Sequence, residues 1–186
     1  MVRHALASDL GSFTLSQELG IANWKKICGD TVAYLVDAEA LWQQASMSVG
    51  RGKNDFGEIA NTYRKAIEAE LRRRFSEVYQ SQPFIDYYQS SHKGQKPPVY
   101  FQSGSMLHAL KRYERLPFPL QSEIQATGVR LHMQPDLVER LMQISSLLNL
   151  GSHDSFDINK LEEIRSKLHK DELLKNLFDS LPPHVV

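Results

Sequence analysis

The stretch that decides the fold is "NDFGEIANTYRKAIEAELRRRFSEVY", residues 54–79. Its apolar side chains recur at intervals of three and four residues, at Phe56, Ile59, Ala60, Tyr63, Ile67, Leu71, Phe75 and Val78. This spacing places them on one face of an α-helix, whereas a half-buried strand would show strict alternation. Asn54 or Asp55 can cap the first turn. The stretch therefore predicts one long amphipathic helix with a buried face.

The rest of this helix is rich in charge, and three interpretations stay open. Arg72, Arg73 and Arg74 lie largely away from the apolar stripe, interleaved with Glu68 and Glu70. They can form a solvated face with ion pairs four residues apart. They can also contact RNA phosphates, because such contacts depend on clustered cations more than on net charge. A protein interface is the third interpretation.

Helical periodicity continues on both sides of this stretch. Upstream, the pattern predicts a short helix and a longer one from about Thr31 to Ser46. Downstream, it predicts helices in "SMLHALKRYERL", "QPDLVERLMQISSLLNLG", "INKLEEIRSKLHK" and "DELLKNLFDSL". Pro135 near the start and Gly151 at the end frame one of them, and Asp157 can cap the next. The apolar stripe of the first of these two helices consists of Leu137, Leu141, Ile144 and Leu148. That of the second consists of Ile158, Leu161, Ile164 and Leu168.

Between the two halves, residues 80–104 are polar, proline-containing and dotted with aromatic side chains. This composition predicts a long connector with a short helix near Phe84 to Tyr88. The aromatic residues of the connector either pin it to the core or stack on bases. Strand alternation is missing throughout. We therefore predict a single all-α domain over 1–186, with N-terminal helices in 1–50 and a bundle in 51–182, about six to eight helices in total.

Composition narrows the function classes. The 22 basic and 22 acidic residues cancel, so no global field attracts nucleic acid or a membrane, although local patches remain possible. The single cysteine, Cys28, excludes an internal disulfide and a cysteine zinc site. The seven histidines include no HExxH pattern and no pair four residues apart, so we expect no metal and no cofactor. Without a leader-like or membrane-spanning apolar run, the expected location is cytoplasmic.

A candidate for chemistry lies in "SSLLNLGSHDSFDINKLEEIRSKL", residues 145–168. Here one predicted helix ends at Gly151, His153 follows in a loop, and another helix begins. Asn149 stands four positions before His153. A loop histidine titrates near neutrality and can transfer protons while a ribose 2′-OH attacks its own phosphate. The alternative is a loop histidine with no chemical role.

These residues resemble a known family. An apolar helix, then Arg-Asn-x-x-x-His or a close variant, then an acidic amphipathic helix is the pattern of HEPN domains. In this sequence it stands as "LNLGSHDSFDINKLEEIRSKL", in which Asn149 and His153 match. "DFGEIANTYRKAIEAELRRRF" and "GSMLHALKRY" look like earlier helices of bacterial members. The resemblance, which runs from Asp55 to about His169, implies a homodimer with a shared, metal-independent RNase cleft and a role in bacterial defence or toxin–antitoxin systems.

One position departs from the active family. Where the family has arginine, five residues before the histidine, this chain has Leu148. A leucine offers no donors to a transition-state oxyanion, and losing one such contact costs roughly 10²- to 10³-fold in rate. Leu148 can instead complete the core stripe of its helix. An arginine from elsewhere, Arg130, Arg140 or Arg165, is the substitute that activity would need.

The leading expectation is thus a degenerate HEPN-like regulatory module, homodimeric, that binds RNA or a partner protein through its dimer cleft and the Arg72, Arg73 and Arg74 face. The first alternative is an active metal-independent endoribonuclease, with His153 as general acid and base and Asn149 positioning it or the phosphate. The second alternative is a helical scaffold or interaction domain of a larger protein.

Overall fold

The computed structural model describes residues 12, 14–47, 56–150 and 157–182. The helices are α1 (residues 14–19), α2 (Ile21–Trp24), α3 (Gly29–Met47), α4 (Gly57–Gln80), α5 (Gln82–Ser91), α6 (Ser103–Lys111), α7 (Phe118–Ala126), α8 (Pro135–Leu150), α9 (Ile158–His169) and α10 (Leu173–Asp179). Tyr113–Arg115 and Arg130–Met133 form single 3₁₀ turns. No strand occurs within these ranges, so the prediction of an all-α helical bundle is confirmed.

Helix α4 is the axis of the bundle. All eight side chains of its predicted apolar stripe are buried, none more than 7% exposed. With 24 residues α4 is about 36 Å long. It packs most extensively against α3 and also contacts α5, α6, α7, α8 and α9. The cap predicted at Asn54 or Asp55 lies outside the described residues, which resume at Phe56 just before the helix begins.

The second half of the chain packs on α4 through α6, α8 and α9. The stripe of α8 is buried as predicted, and Leu148 is 0% exposed. In α9, Leu161, Ile164 and Leu168 are buried, while Ile158 is half-buried against the core. The Asp157 side chain caps α9 by accepting a 2.8 Å hydrogen bond from the Lys160 backbone N–H. The sequence prediction for this helix start thus matches the observed contact.

The segment treated above as one connector divides into a helix and a shorter link. Helix α5 spans Gln82–Ser91, longer than the helix predicted near Phe84 to Tyr88, because Ser81 caps it and Pro83 lies in its first turn. Residues 92–102 are not helical. The rings of Phe84 and Phe101 lie 4.8 Å and 5.2 Å from that of Tyr79. These contacts pin the segment to the core, although Tyr100 is 71% exposed.

Within the described ranges, no helix combines the length and the apolar character that crossing a membrane would require.

Candidate functional site

The candidate catalytic residues are placed only in part. His153 belongs to the stretch 151–156, outside the described residues. Asn149 is exposed in the last turn of α8. Leu148, one position earlier, points into the core and is fully buried. The position five residues before His153 therefore belongs to the packed interior of this bundle.

Two of the three arginines considered as substitutes are engaged elsewhere. Arg140 Nη2 donates a 2.6 Å hydrogen bond to the backbone carbonyl of Asp171. Arg165 is bound to Glu39, 126 positions earlier in the chain. Arg130 lies exposed on the 3₁₀ turn between α7 and α8, with its backbone N–H donating to Ser180 O at 2.8 Å.

The three arginines predicted as an RNA-binding face do not act as one group. Arg74 is only 11% exposed in its side chain and pairs at 3.0 Å with Glu70, which is 0% exposed. Its Nη2 also donates to the backbone carbonyl of Lys26 at 3.1 Å. Arg72 is exposed and Arg73 is half-buried. Arg74 therefore has a structural contact of its own, because the buried Glu70 carboxylate needs a cationic partner.

Glu70 joins α4 to the start of α3. One of its oxygens accepts hydrogen bonds from the Cys28 backbone N–H at 3.0 Å and from Thr31 Oγ1 at 3.1 Å. The Cys28 Sγ lies 3.0 Å from Thr31 Oγ1 and accepts from the Thr31 N–H at 3.4 Å, as the side chain of a helix cap does. These contacts fix the first turn of α3 beside the middle of α4.

An open cleft lies above this junction, and we call it the α3–α4 cleft. It has a volume of about 450 Å³ and is lined by Cys28, Asp30, Tyr34, Lys65, Glu68, Ala69, Arg72, Arg73 and Ser76. Lys65 stands seven residues before Arg72, which is two helical turns, so both side chains rise from the same side of α4. The Lys65 Nζ lies 6.0 Å from the centre of the Tyr34 ring. The cleft thus combines three cationic side chains with an aromatic ring.

The balance of charge in the cleft is positive. Lys65, Arg72 and Arg73 face two carboxylates, Asp30 and Glu68. Glu68 is engaged by Arg64 at 2.9 Å, an ion pair four residues apart on α4. The chain as a whole has a formal net charge of zero, so this local excess of cations is a property of the cleft and not of the whole surface. Such a site favours an anionic ligand.

A second cluster of polar side chains, which the sequence analysis missed, lies buried between α1, α3, α4 and α9. We call it the Glu39 network. The Glu39 side chain is 3% exposed and accepts from Arg165 Nη2 at 2.6 Å, from Arg165 Nε at 3.2 Å and from the Tyr63 hydroxyl. His169 Nε2 lies 3.0 Å from Glu39 Oε1, and His169 Nδ1 lies 2.7 Å from Glu18 Oε2. Three helices, α3, α4 and α9, therefore meet at the Glu39 carboxylate, and His169 links it to Glu18 of α1.

The protonation states in this network follow from its contacts. Burial alone would raise the pKa of Glu39, but the hydrogen bonds from His169 and Arg165 outweigh it and lower that pKa from 4.5 to about 2. Burial would lower the pKa of His169, yet Glu18 and Glu39 raise it above its ordinary 6.5. Burial and the Glu39 charge both raise the pKa of Tyr63. Near neutral pH, Glu39 is ionised and Tyr63 keeps its proton.

This arrangement suits a structural role. Each nitrogen of His169 faces a carboxylate, so the imidazole holds its proton in place and presents no nitrogen to a substrate. The guanidinium of Arg165 also lies 5.3 Å from the centre of the Trp42 ring, which adds a cation–π contact. One sequence signal was present: Arg165 and His169 stand four residues apart on α9, beside its buried leucine stripe.

Across the parts of the chain that the structure describes, no three or more His, Cys, Asp and Glu side chains are grouped so that they could hold a metal ion. Comparisons with protein families, with curated proteins and with solved structures gave no match for this chain.

Proposed function

We propose that this chain is an RNA-binding regulatory module that holds the phosphate backbone in the α3–α4 cleft. The observation that carries the proposal is the meeting of Lys65, Arg72 and Arg73 around one open cleft, beside the half-buried ring of Tyr34. Phosphate contacts supply most of the affinity of nucleic-acid binding that is not specific for sequence. A chain with no net charge can therefore bind RNA through this local cluster of cations.

Four side chains of the cleft have distinct roles in this proposal. The planar guanidinium of Arg72 donates two hydrogen bonds to one phosphate, and the ammonium of Lys65 acts as a mobile point charge on the next. Tyr34 offers a ring face on which an unpaired base can stack. Asp30 at the rim repels a phosphate that sits too close to the α3 start. A single strand fits these features because its bases are free to stack.

The HEPN-like character, the homodimer and the role in bacterial defence or toxin–antitoxin regulation belong to the same proposal. The burial of Leu148 supports the degenerate form, because a buried leucine in the core stripe of α8 cannot donate a hydrogen bond to a phosphate. Sedimentation analysis tests the dimer, with a mass of twice 21.3 kDa expected. A monomer at high protein concentration would contradict a shared dimer cleft.

Fluorescence anisotropy with a labelled single-stranded RNA tests the proposed site. We expect the double variant Lys65→Ala, Arg72→Ala to weaken binding at least about tenfold, since two phosphate contacts are lost. The matched control is Lys96→Ala, Lys170→Ala, which also removes two exposed cations but none from the α3–α4 cleft. Equal loss in both double variants would show that binding follows net charge alone and would contradict the proposal. Binding of a protein partner with no RNA binding would favour the scaffold alternative.

A further inference from the structure

A second cleft, about 480 Å³ in volume, lies at the carboxyl end of α6, and we call it the α6 cleft. Its chemically active lining comprises Lys111, Arg112, Tyr113, Arg115 and His132, with Met133 at the rim. Met133 is 68% exposed, so an apolar side chain stands open to solvent beside the cations. The α6 cleft shares no lining residue with the α3–α4 cleft.

The two rings of the α6 cleft are held in fixed positions. The centres of Tyr113 and His132 lie 4.4 Å apart, with their planes inclined by 40°. His132 Nδ1 lies 3.0 Å from the backbone carbonyl of Val129, and the Tyr113 hydroxyl donates to the backbone carbonyl of Gln121 at 3.4 Å. Both rings are half-buried and already held in place, so binding a flat ligand carries little cost in side-chain entropy.

Cationic side chains converge on the same place. The pKa of His108, one turn earlier on α6, is lowered by burial and then by the positive charges of Arg112, His92 and Lys111. Lys111 pairs with Glu139, which offsets part of this charge. Arg112 and Arg115 are exposed at the cleft, and Glu114 is the carboxylate among the lining residues.

A plainer explanation accounts for part of this pattern. His108 and Lys111 lie in the last turn of α6, where cations stabilise the helix dipole. That explanation does not extend to Arg115, which lies beyond the helix on a 3₁₀ turn, or to the ring pair across the cleft. The arrangement of two arginines beside two rigid rings calls for a ligand that is anionic at one end and flat at the other.

We propose that the α6 cleft binds a nucleobase together with its phosphate, as a free mononucleotide or as the phosphorylated end of an RNA. The base lies against the Tyr113 and His132 rings and the apolar Met133, and the phosphate accepts hydrogen bonds from Arg112 and Arg115. Aromatic stacking holds the base, and guanidinium groups match phosphate geometry. This binding is independent of the proposed RNA contact at the α3–α4 cleft, since the two use different residues.

Calorimetric titration of the full chain with AMP, adenosine and inorganic phosphate tests the proposal. We expect AMP to bind at least tenfold more tightly than either fragment, because only AMP engages the rings and the arginines together. Arg112→Ala with Arg115→Ala should weaken AMP at least tenfold. Tyr113→Leu should remove the preference for AMP over phosphate, and His132→Gln provides a second ring variant if Tyr113→Leu does not fold. Lys170→Ala, which removes an exposed cation outside both clefts, should leave AMP binding unchanged.

The source of the nucleotide is tested in parallel with a 5′-phosphorylated hexa-adenylate and its unphosphorylated form. Tighter binding of AMP than of the phosphorylated strand identifies a free nucleotide as the ligand. Tighter binding of the phosphorylated strand, lost in the Arg112→Ala, Arg115→Ala variant, identifies an RNA end. Equal affinity for AMP and inorganic phosphate, or no binding of AMP and of either strand up to millimolar concentration, would overturn the proposal.

Discussion

Arg165 of α9 donates a 2.6 Å hydrogen bond through Nη2 to Oε2 of Glu39, a residue that lies 126 positions earlier on α3. The contact joins two helices that are remote in sequence through a carboxylate that is almost fully buried. A buried charge whose partner is removed costs far more than the pair contributes when intact. The Glu39 network is therefore a point at which the stability of the whole bundle is sensitive to single substitutions.

Replacing Arg165 with Met should lower the free energy of unfolding by about 3 kcal/mol, because the buried Glu39 loses one of its two cationic partners. Urea denaturation followed by circular dichroism measures the effect. Lys167→Met is the matched control on the same helix, since it removes an exposed ion pair with Glu163 four residues away. A loss of stability as small as that of the control would contradict the structural role of Arg165.

Stability should fall on both sides of a window between about pH 4.5 and pH 6.5. The folded pKa of His169 is raised, so its contribution is fully present below its ordinary pKa of 6.5 and is lost as the pH rises through the folded value. The folded pKa of Glu39 is lowered to about 2, so its contribution is present above 4.5 and is lost as the pH falls toward 2. Over that acid range the loss from Glu39 is about 3 kcal/mol.

The comparison with His169→Gln isolates the alkaline limb. His108 acts in the opposite direction, because its lowered pKa makes stability rise with pH. Asp179 also has a lowered pKa, so it adds to the loss of stability at acidic pH. Denaturation curves collected at several pH values should show a shallower loss above pH 6.5 in His169→Gln than in the wild-type protein. Identical slopes in the two proteins would show that His169 does not hold a proton between Glu18 and Glu39.

Substitution of Arg74 should affect stability, whereas substitution of Arg72 should affect RNA binding. Arg74→Ala leaves the buried Glu70 without its cation, so we expect a loss of about 3 kcal/mol in stability and little change in RNA affinity. Arg72→Ala removes an exposed side chain of the α3–α4 cleft, so we expect the reverse. Thermal unfolding and anisotropy titrations on both variants measure the two effects. Weaker RNA binding in a folded Arg74→Ala protein would show that Arg74 contributes to RNA binding.

The wild-type protein should not cleave a mixed RNA pool in EDTA, because Leu148 is buried where the active family has arginine. The assay compares the wild-type protein with His153→Ala at matched concentration, after circular dichroism has shown that both are folded. Cleavage by the wild-type protein that disappears in His153→Ala would contradict this expectation. It would instead support the alternative of an active metal-independent endoribonuclease that draws its arginine from another part of the chain.

The sequence was a good guide to the helices because their apolar spacing is local. The stripe from Phe56 to Val78 predicted the buried face of α4, and the Asp157 cap predicted the start of α9. The connector prediction was less accurate. Short polar sequences such as that of α5 carry little periodicity, and this helix depends on the Ser81 cap and on the packing of Phe84 against Tyr79.

The sites were harder to predict, because they depend on contacts between distant residues. Arg72, Arg73 and Arg74 look alike in sequence, yet only a structure shows that Glu70 binds one of them. The Glu39 network depends on pairs such as Glu18 with His169, which are 151 positions apart. No local pattern marks a glutamate as buried, so the cationic partners of Glu39 and Glu70 could not be separated in advance from the surface cations.

The salt dependence of RNA binding tests the central claim most directly. For single-stranded RNA, the logarithm of the binding constant falls with the logarithm of salt concentration by about 0.7 for each phosphate neutralised. If Lys65, Arg72 and Arg73 neutralise three phosphates, replacing all three with Ala should flatten that slope by about 2. A triple variant that stays folded and keeps the wild-type slope would show that the α3–α4 cleft does not hold the RNA backbone.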